Sequence, residues 1–149
     1  MSKEIPWDKL TIGEAFGPIE LPYIEEYFTC EMEDLGEIHT GESPWGGPVY
    51  PAMYGATLLG LILISSKFDP HTTVPARLLQ KNLNPAKLGK KLFLRGVLLD
   101  KYIKKGLEYA VIESLMTDED GVQIRKTVDH FLLSLERRDD VEENGRSTT

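Results

Sequence analysis

Two residues suited to proton transfer stand five positions apart, Asp34 and His39, at the end of a predicted helix. An imidazole has an unperturbed pKa near neutrality, so it can give or take a proton at physiological pH. A nearby carboxylate can orient a water molecule, share its proton or fix the tautomer of the imidazole. Because the two residues bracket a turn, both side chains could point into one cleft and act as an acid–base pair. The alternative is that Asp34 caps the helix end or faces solvent, and that His39 is an ordinary loop histidine.

The remaining residues that could do chemistry are few. Cys30 is the only cysteine, which excludes an internal disulfide framework and a cysteine-rich zinc site. It has no positive partner close in sequence, so we do not expect it to be a nucleophile. His71 is expected in an exposed loop, and His130 is expected to pack in the last strand. The sequence has no Gly-rich phosphate loop and no metal-ligand cluster, so we expect no metal and no bound cofactor.

Two helices and a loop must position the Asp34–His39 pair. Apolar residues at helical spacing predict a helix over Leu21–Asp34. A loop rich in Gly and Pro follows, and Pro51 is well placed as the first residue of the next helix. That helix, Ala52–Ser66, is apolar almost all round, which places it in the middle of a domain. Gly60 within it makes sense if a sheet approaches the backbone closely.

The second half of the chain predicts strands. The first segment, Trp7–Phe16, contains Leu10-Thr-Ile-Gly13 and is predicted to form a short strand and a turn. Turns are predicted at Lys104–Gly106 and Asp118–Gly121. The long strands are predicted over Ala76–Lys81, Lys91–Tyr102, Leu107–Thr117 and Val122–Leu135.

This order of elements predicts an α+β architecture, the hot dog fold, in which an antiparallel sheet wraps around one long central apolar helix. Residues 1–136 form a single domain, and the charged, aperiodic residues 137–149 are expected to be a disordered tail. The open sheet edge and outer face of such a domain predict a dimer.

Composition narrows the classes of partner and compartment. The chain has 149 residues and a net charge of -7, with a pI near 5.0, so we expect no nucleic-acid partner. No stretch is long enough to span a bilayer and no signal segment is visible, so we expect no membrane association. A single cysteine fits a reducing cytoplasm.

Three segments resemble the MaoC-like dehydratase/hydratase family, which includes R-specific enoyl-CoA hydratases and FAS1-like dehydratases. Glu33–His39 resembles the family's Gly-Asp-x-Asn-Pro-x-His segment, with Gly36-Glu37 in place of Asn-Pro. Gly47–Met53 occupies the place of the family's Pro-x-x-His-Gly entry to the central helix, with Pro51-Ala52 for His-Gly. Leu83–Gly89 resembles the loop that precedes a long strand in the family.

The resemblance implies that Asp34 and His39 hold a water molecule between them and add it to, or remove it from, the 2,3 bond of an acyl thioester. The thioester oxygen needs stabilisation as negative charge develops. The start of the central helix offers free N–H groups and a positive dipole end. Since Pro51 has no N–H, the donor would be Ala52 or Met53.

Four further residues are candidates for substrate binding. Trp45 and Tyr50 could line the pocket, although aromatic residues in such loops are as often plain packing. Arg77 and Lys81 begin a basic stretch that could hold the phosphates of coenzyme A, present as part of the substrate. The alternative is a solvated strand edge protected by lysine.

Two other functions remain open. A hot dog acyl-CoA thioesterase often carries an acidic residue on the central helix; Ala52–Ser66 contains none, although Glu42 precedes it. The chain could also be a non-catalytic acyl-binding subunit, paired with a related hot dog chain in a heteromeric dehydratase. A homodimer and a heterodimer are both compatible with the sequence.

Overall fold

Five strands form one antiparallel sheet in the order β1-β3-β4-β5-β2. The computed structural model describes residues 7–21, 60, 63–69, 72–87 and 89–138. A short 3-10 helix, Trp7–Lys9, precedes the sheet. The strands are β1 (Ala15–Glu20), β2 (Val74–Asn82), β3 (Leu92–Lys104), β4 (Leu107–Asp118) and β5 (Gln123–Leu132).

The four long strands are confirmed close to their predicted bounds, and the segment Trp7–Phe16 contains a turn followed by the start of the first strand. Glu14 closes a turn there, because its N–H donates to Thr11 O at 3.0 Å and its Oε1 accepts from Thr11 N at 2.9 Å. Gly13 has φ 91°, a value that glycine adopts readily. The first strand therefore starts only at Ala15 and pairs with β3.

The strands divide the sheet into an inner face and an outer face. On β4 the inner face carries Ala110, Ile112, Ser114 and Met116, all buried. The pairing of neighbouring strands is irregular at two points. The register of β3 with β4 shifts between Leu98 and Asp100, and the register of β4 with β5 shifts between Met116 and Thr117. The inner face forms most of the hydrophobic core with side chains such as Phe16, Leu94, Leu98 and Phe131.

The described part of the predicted central helix lies on the inner face. Gly60, Leu63 and Ile64 are helical, and the last two are buried. A Cβ atom on Gly60 would lie 3.1 Å from Asp129 Oδ2 and 3.2 Å from Phe131 Cζ. The close approach predicted for Gly60 is therefore confirmed. The part of the helix from 52 to 59 lies outside the described residues, so its full length stays a prediction.

Both described ends of the chain meet at the β3–β4 hairpin. Trp7 Nε1 donates to Tyr109 O at 3.1 Å, and Lys101 Nζ lies 4.5 Å from the centre of the Trp7 ring. Arg138 pairs with Asp8 at 2.7 Å and with Glu108 at 3.0 Å. Arg138 belongs to the range predicted as a tail; residues 139–149 lie outside the described part, so their disorder stays a prediction.

Candidate active site

Most of the predicted site lies outside the described residues. This holds for the reacting pair Asp34 and His39, for the helix start at Ala52 and Met53, and for the loop aromatics Trp45 and Tyr50. The structure does describe the later part of the central helix, the sheet beneath it, and the two predicted phosphate-binding residues, Arg77 and Lys81.

A small polar group is buried under the helix on the inner face. Ser114 on β4 and Thr127 on β5 are register partners, and their hydroxyls hydrogen-bond. Thr127 Oγ1 also donates to Asp129 Oδ2 at 3.4 Å, which leaves the Ser114 hydrogen for the bond between the hydroxyls. All three residues are buried, and the Asp129 carboxyl faces Gly60 of the helix.

Burial raises the pKa of Asp129 to about 6, although the Thr127 hydrogen bond and the positive charge of Arg125 act in the opposite direction. A carboxyl of this kind can titrate near neutral pH, as general acids in enzymes do. Sequence reasoning missed it, because β5 carries polar and apolar residues on both faces. Thr127, Asp129 and Phe131 face inward, while Val128 and His130 lie between them.

Arg77 and Lys81 lie on the outer face of β2, opposite His130 and Lys126 of β5. Both side chains are exposed. Neither makes an ion pair within the described ranges. The helical residues Gly60, Leu63 and Ile64 lie on the inner face, so the structure places these two cations on the opposite side of the sheet from them.

His130 packs in the sheet, as predicted. Its Nδ1 lies 3.0 Å from Tyr102 Oη, and the two rings are tilted at 61° with centres 5.9 Å apart. Tyr102 in turn stacks on Tyr109 at 4.9 Å. Burial, followed by the influence of Tyr109, raises the pKa of the Tyr102 hydroxyl. The cluster lies on the outer face, which argues for packing and against a role beside the helix.

The described residues contain no group of three or more His, Cys, Asp or Glu side chains that could hold a metal ion. Over the same ranges, no helix has the length and hydropathy needed to cross a membrane.

Comparisons with known proteins give structural neighbours only. No protein-family model matches the sequence, and no curated protein matches it. Among solved structures, the unliganded R-hydratase PhaJ1 from Pseudomonas aeruginosa is similar with a TM-score of 0.72 and 15% identity, covering 89% of this chain and 88% of that one.

Two other solved structures are similar over most of their length. A MaoC-like dehydratase from Rhodospirillum rubrum gives a TM-score of 0.67 at 13% identity, over 87% of this chain and 97% of that one. The C-terminally truncated HadBC (3R-hydroxyacyl-ACP dehydratase) complex from Mycobacterium tuberculosis gives 0.65 at 17% identity, over 81% and 96%. The chain thus shares the hot dog fold of MaoC-like dehydratases and R-hydratases.

Proposed function

We propose that this chain is an acyl-thioester hydratase/dehydratase that adds or removes water across the 2,3 bond, with coenzyme A as the carrier. One observation carries the proposal: an R-hydratase and MaoC-like dehydratases share its fold over more than four fifths of the chain. The Asp34–His39 spacing, which resembles the family's motif, would supply the acid–base pair that the reaction needs.

The proposed chemistry assigns one proton transfer to each stage of the reaction. In hydration, the pair Asp34 and His39 holds a water molecule, and His39 takes its proton as the oxygen attacks C3 of the enoyl thioester. The electron pair moves onto the thioester oxygen, and the Asp34–His39 pair then returns the proton taken from water to C2 as the enolate collapses. Dehydration follows the same steps in reverse, so each group acts once as an acid and once as a base.

At the start of the central helix, the backbone N–H of Ala52 or Met53 would donate a hydrogen bond to the thioester oxygen and stabilise its developing negative charge. This role requires a helix held in a fixed position. Support comes from the other end of the same predicted helix, where Leu63 is buried against the sheet and Gly60 approaches Asp129 closely. A well-packed helix keeps its N–H groups aimed at one place.

Substrate binding is assigned to the loop before the helix and to β2. Trp45 and Tyr50 would line the acyl pocket, and Arg77 and Lys81 would attract the phosphates of coenzyme A from the outer face. The HadBC neighbour is a dehydratase of acyl groups carried by ACP, so the panel of substrates should include acyl carrier protein thioesters.

We further propose that the protein works as a homodimer or with a related hot dog chain. Within the described sheet, β2 is an edge strand with one strand neighbour, β5. Most of its residues are exposed, including Val74 and Leu79. An edge of this length, with unpaired backbone groups, is a natural surface for a second chain.

The experiment is an absorbance assay that follows loss of the enoyl-thioester chromophore over a panel of acyl chains and carriers. His39→Ala and Asp34→Asn should each keep the melting temperature and lower the rate about 10²–10⁴-fold, the usual contribution of a positioned acid or base. Because both residues act on one water molecule, the double variant should be little slower than the slower single variant.

His130→Ala is the matched control, since His130 sits in the outer-face cluster with Tyr102. This variant should lower the melting temperature clearly and leave the rate of hydration nearly unchanged. Full activity of His39→Ala, on a substrate that the wild type hydrates, would rule out the mechanism. No activity of the wild type on any thioester would favour the non-catalytic subunit.

A further inference from the structure

The outer face of the sheet carries a cleft of about 290 Å³ whose lining residues do not belong to the site proposed above. It lies where β1, β3 and β4 meet the turn that leads into β5. Register explains why its side chains converge: Phe93 pairs with Thr117, and Thr117 pairs with Gln123. The lining residues are Pro18, Phe93, Leu94, Arg95, Thr117, Gly121 and Gln123.

Arg95 gives the cleft its charge. It is the one charged residue among those that line the cleft, it is exposed, and it makes no ion pair within the part of the chain that the structure describes. The nearby acids are engaged elsewhere, Asp120 with Lys90 at 2.8 Å and Glu20 with Lys91 at 4.0 Å. A guanidinium without a carboxylate partner is suited to bind a phosphate with two hydrogen bonds.

The stretch of sequence that contains Arg95 is basic. The chain as a whole has 24 acidic and 17 basic residues, yet positions 70–99 contain no Asp or Glu. On the outer face, Arg95 lies across Leu115 from Lys126, and Lys126 lies directly opposite Lys81. Lys126 pairs with Glu113 at 3.5 Å, whereas Arg95 and Lys81 make no ion pair within the described residues. The basic residues in this stretch are Arg77, Lys81, Lys87, Lys90, Lys91 and Arg95.

The other lining residues suit a flat polar ring. Phe93 is half-buried, which holds its ring in place while leaving part of it open to a ligand. Thr117 offers a hydroxyl, and Gln123 offers an amide with both donors and an acceptor. Gly121 has φ 80°, and a Cβ there would meet no atom within 4 Å, so the cleft is open at Gly121. The lining thus combines an aromatic face, hydrogen-bonding groups and one cation.

We propose that this cleft binds a phosphorylated nucleotide, with the base against Phe93, the phosphate on Arg95, and Thr117 and Gln123 contacting the base or the sugar. Its volume suits a ligand near the lower end of the usual size range, such as a nucleoside monophosphate. Two sources share this chemistry, a free nucleotide and the adenosine phosphate end of coenzyme A. The second source rests on the proposed function; the first does not.

The first experiment measures binding by titration calorimetry, with AMP, adenosine bisphosphate, adenosine and inorganic phosphate as probes. AMP and the bisphosphate should bind with one site per chain. Adenosine alone and phosphate alone should each bind with an affinity at least about tenfold lower. Affinity should fall as NaCl is raised, because an exposed cation is screened by salt. No saturable binding of either nucleotide at millimolar concentration would overturn the proposal.

Variants locate the site. Arg95→Gln should weaken AMP binding about 10- to 100-fold, the loss expected when charge-assisted hydrogen bonds to a phosphate are removed. Phe93→Leu should weaken AMP binding by a similar factor and leave phosphate binding unchanged. Arg137→Gln is the matched control, an exposed arginine outside the cleft to which no binding role is assigned, and should have no effect. If Arg95→Gln weakens nucleotide binding no more than Arg137→Gln does, the cleft is the wrong site.

Kinetics distinguish the two sources. If the cleft holds coenzyme A, Arg95→Gln raises KM for a coenzyme A thioester and leaves kcat unchanged. The same variant leaves KM for a short N-acetylcysteamine thioester, which lacks the nucleotide, unaltered. If AMP binds in the cleft but neither KM changes, a free nucleotide is the ligand. Hydration by a wild-type protein that binds no nucleotide would leave the proposed function standing while this inference fails.

Discussion

Asp129 keeps a carboxyl group inside the sheet at a cost in stability. Its side chain is 5% exposed and accepts a hydrogen bond of 3.4 Å from Thr127. Asp118 is similarly buried, at 7%, but its Oδ1 accepts from two backbone N–H groups at 2.9 and 3.0 Å. Asp118 therefore helps to build a turn, whereas Asp129 has little compensation for its lost hydration.

We predict that Asp129→Asn stabilises the protein above pH 6. Burial raises the pKa of Asp129 from 3.8 to about 6, so the folded state favours the protonated form. This group therefore lowers stability progressively as pH rises from about 4 to about 6, by roughly 3 kcal/mol in all. Asparagine is nearly isosteric and stays neutral, so it removes that loss. Urea unfolding between pH 4 and pH 8 measures the difference.

Asp100→Asn is the control for this measurement, because Asp100 is exposed on β3. It should change stability little at any pH. If Asp129→Asn keeps the same fall in stability between pH 4 and pH 6 as the wild type, Asp129 is not the group responsible.

Individual residues were predictable from the sequence only where a pattern constrained them. On β4, Ala110, Ile112, Ser114 and Met116 recur at every second position, the spacing of one strand face, and the structure buries all four. Gly60 was predictable because glycine lowers the stability of a helix, and the close approach of a sheet compensates for that loss. Asp129 was not, since no local pattern distinguishes a buried aspartate from an exposed one.

At the scale of elements, hairpins were the most predictable feature. The β3–β4 turn is formed by Lys105 and Gly106, both with positive φ of 52° and 76°, which suits the twist of a two-residue hairpin. The shifts of register at Leu98 and Met116 had no sequence signal. They depend on how the whole sheet curves around the core, which is a property of several strands together.

The contact of Arg138 with the N-terminal segment gives a prediction at this scale. Arg138 pairs with Asp8 and Glu108, and its guanidinium lies 5.1 Å from the centre of the Trp7 ring. Removing residues 139–149 should leave the melting temperature unchanged if that segment is the disordered tail that its composition predicts. Arg138→Ala should lower the melting temperature by roughly 2–4 °C, a size typical of losing a few surface contacts in a domain of this length.

Arg137→Ala provides the control, since it alters the neighbouring arginine, which is exposed. Melting curves from circular dichroism suffice for all three proteins. Equal melting temperatures for Arg138→Ala and Arg137→Ala would show that the contact between the two ends does not stabilise the domain. A large drop on removal of residues 139–149 would show that the tail packs.

At the scale of the whole molecule, the antiparallel sheet of the predicted fold class is confirmed, while the long central helix stays a prediction beyond the helical residues Gly60, Leu63 and Ile64. Long strands that follow one apolar segment must form a sheet that covers it, and Leu63 and Ile64 are indeed buried under the sheet. The order of the strands in the sheet could not be predicted from the sequence. β3 pairs with β1 on one side and β4 on the other, while β2 crosses to the far edge. Such long-range pairing follows from packing, to which no local signal corresponds.

The exposed edge leads to a prediction about assembly. β2 spans nine residues, and Leu79, close to its middle, is 54% exposed. Pairing of β2 with a second chain would satisfy the free backbone groups and bury Leu79, so light scattering at micromolar concentration should give about twice the chain mass of 16.8 kDa.

Leu79→Glu should shift the protein toward the monomer, because two buried carboxylates would face a shared apolar surface. Leu135→Glu changes an exposed leucine outside the sheet and should leave the mass unchanged. A wild-type protein that is monomeric at these concentrations, or a Leu79→Glu variant that folds and remains dimeric, would show that β2 is not the interface.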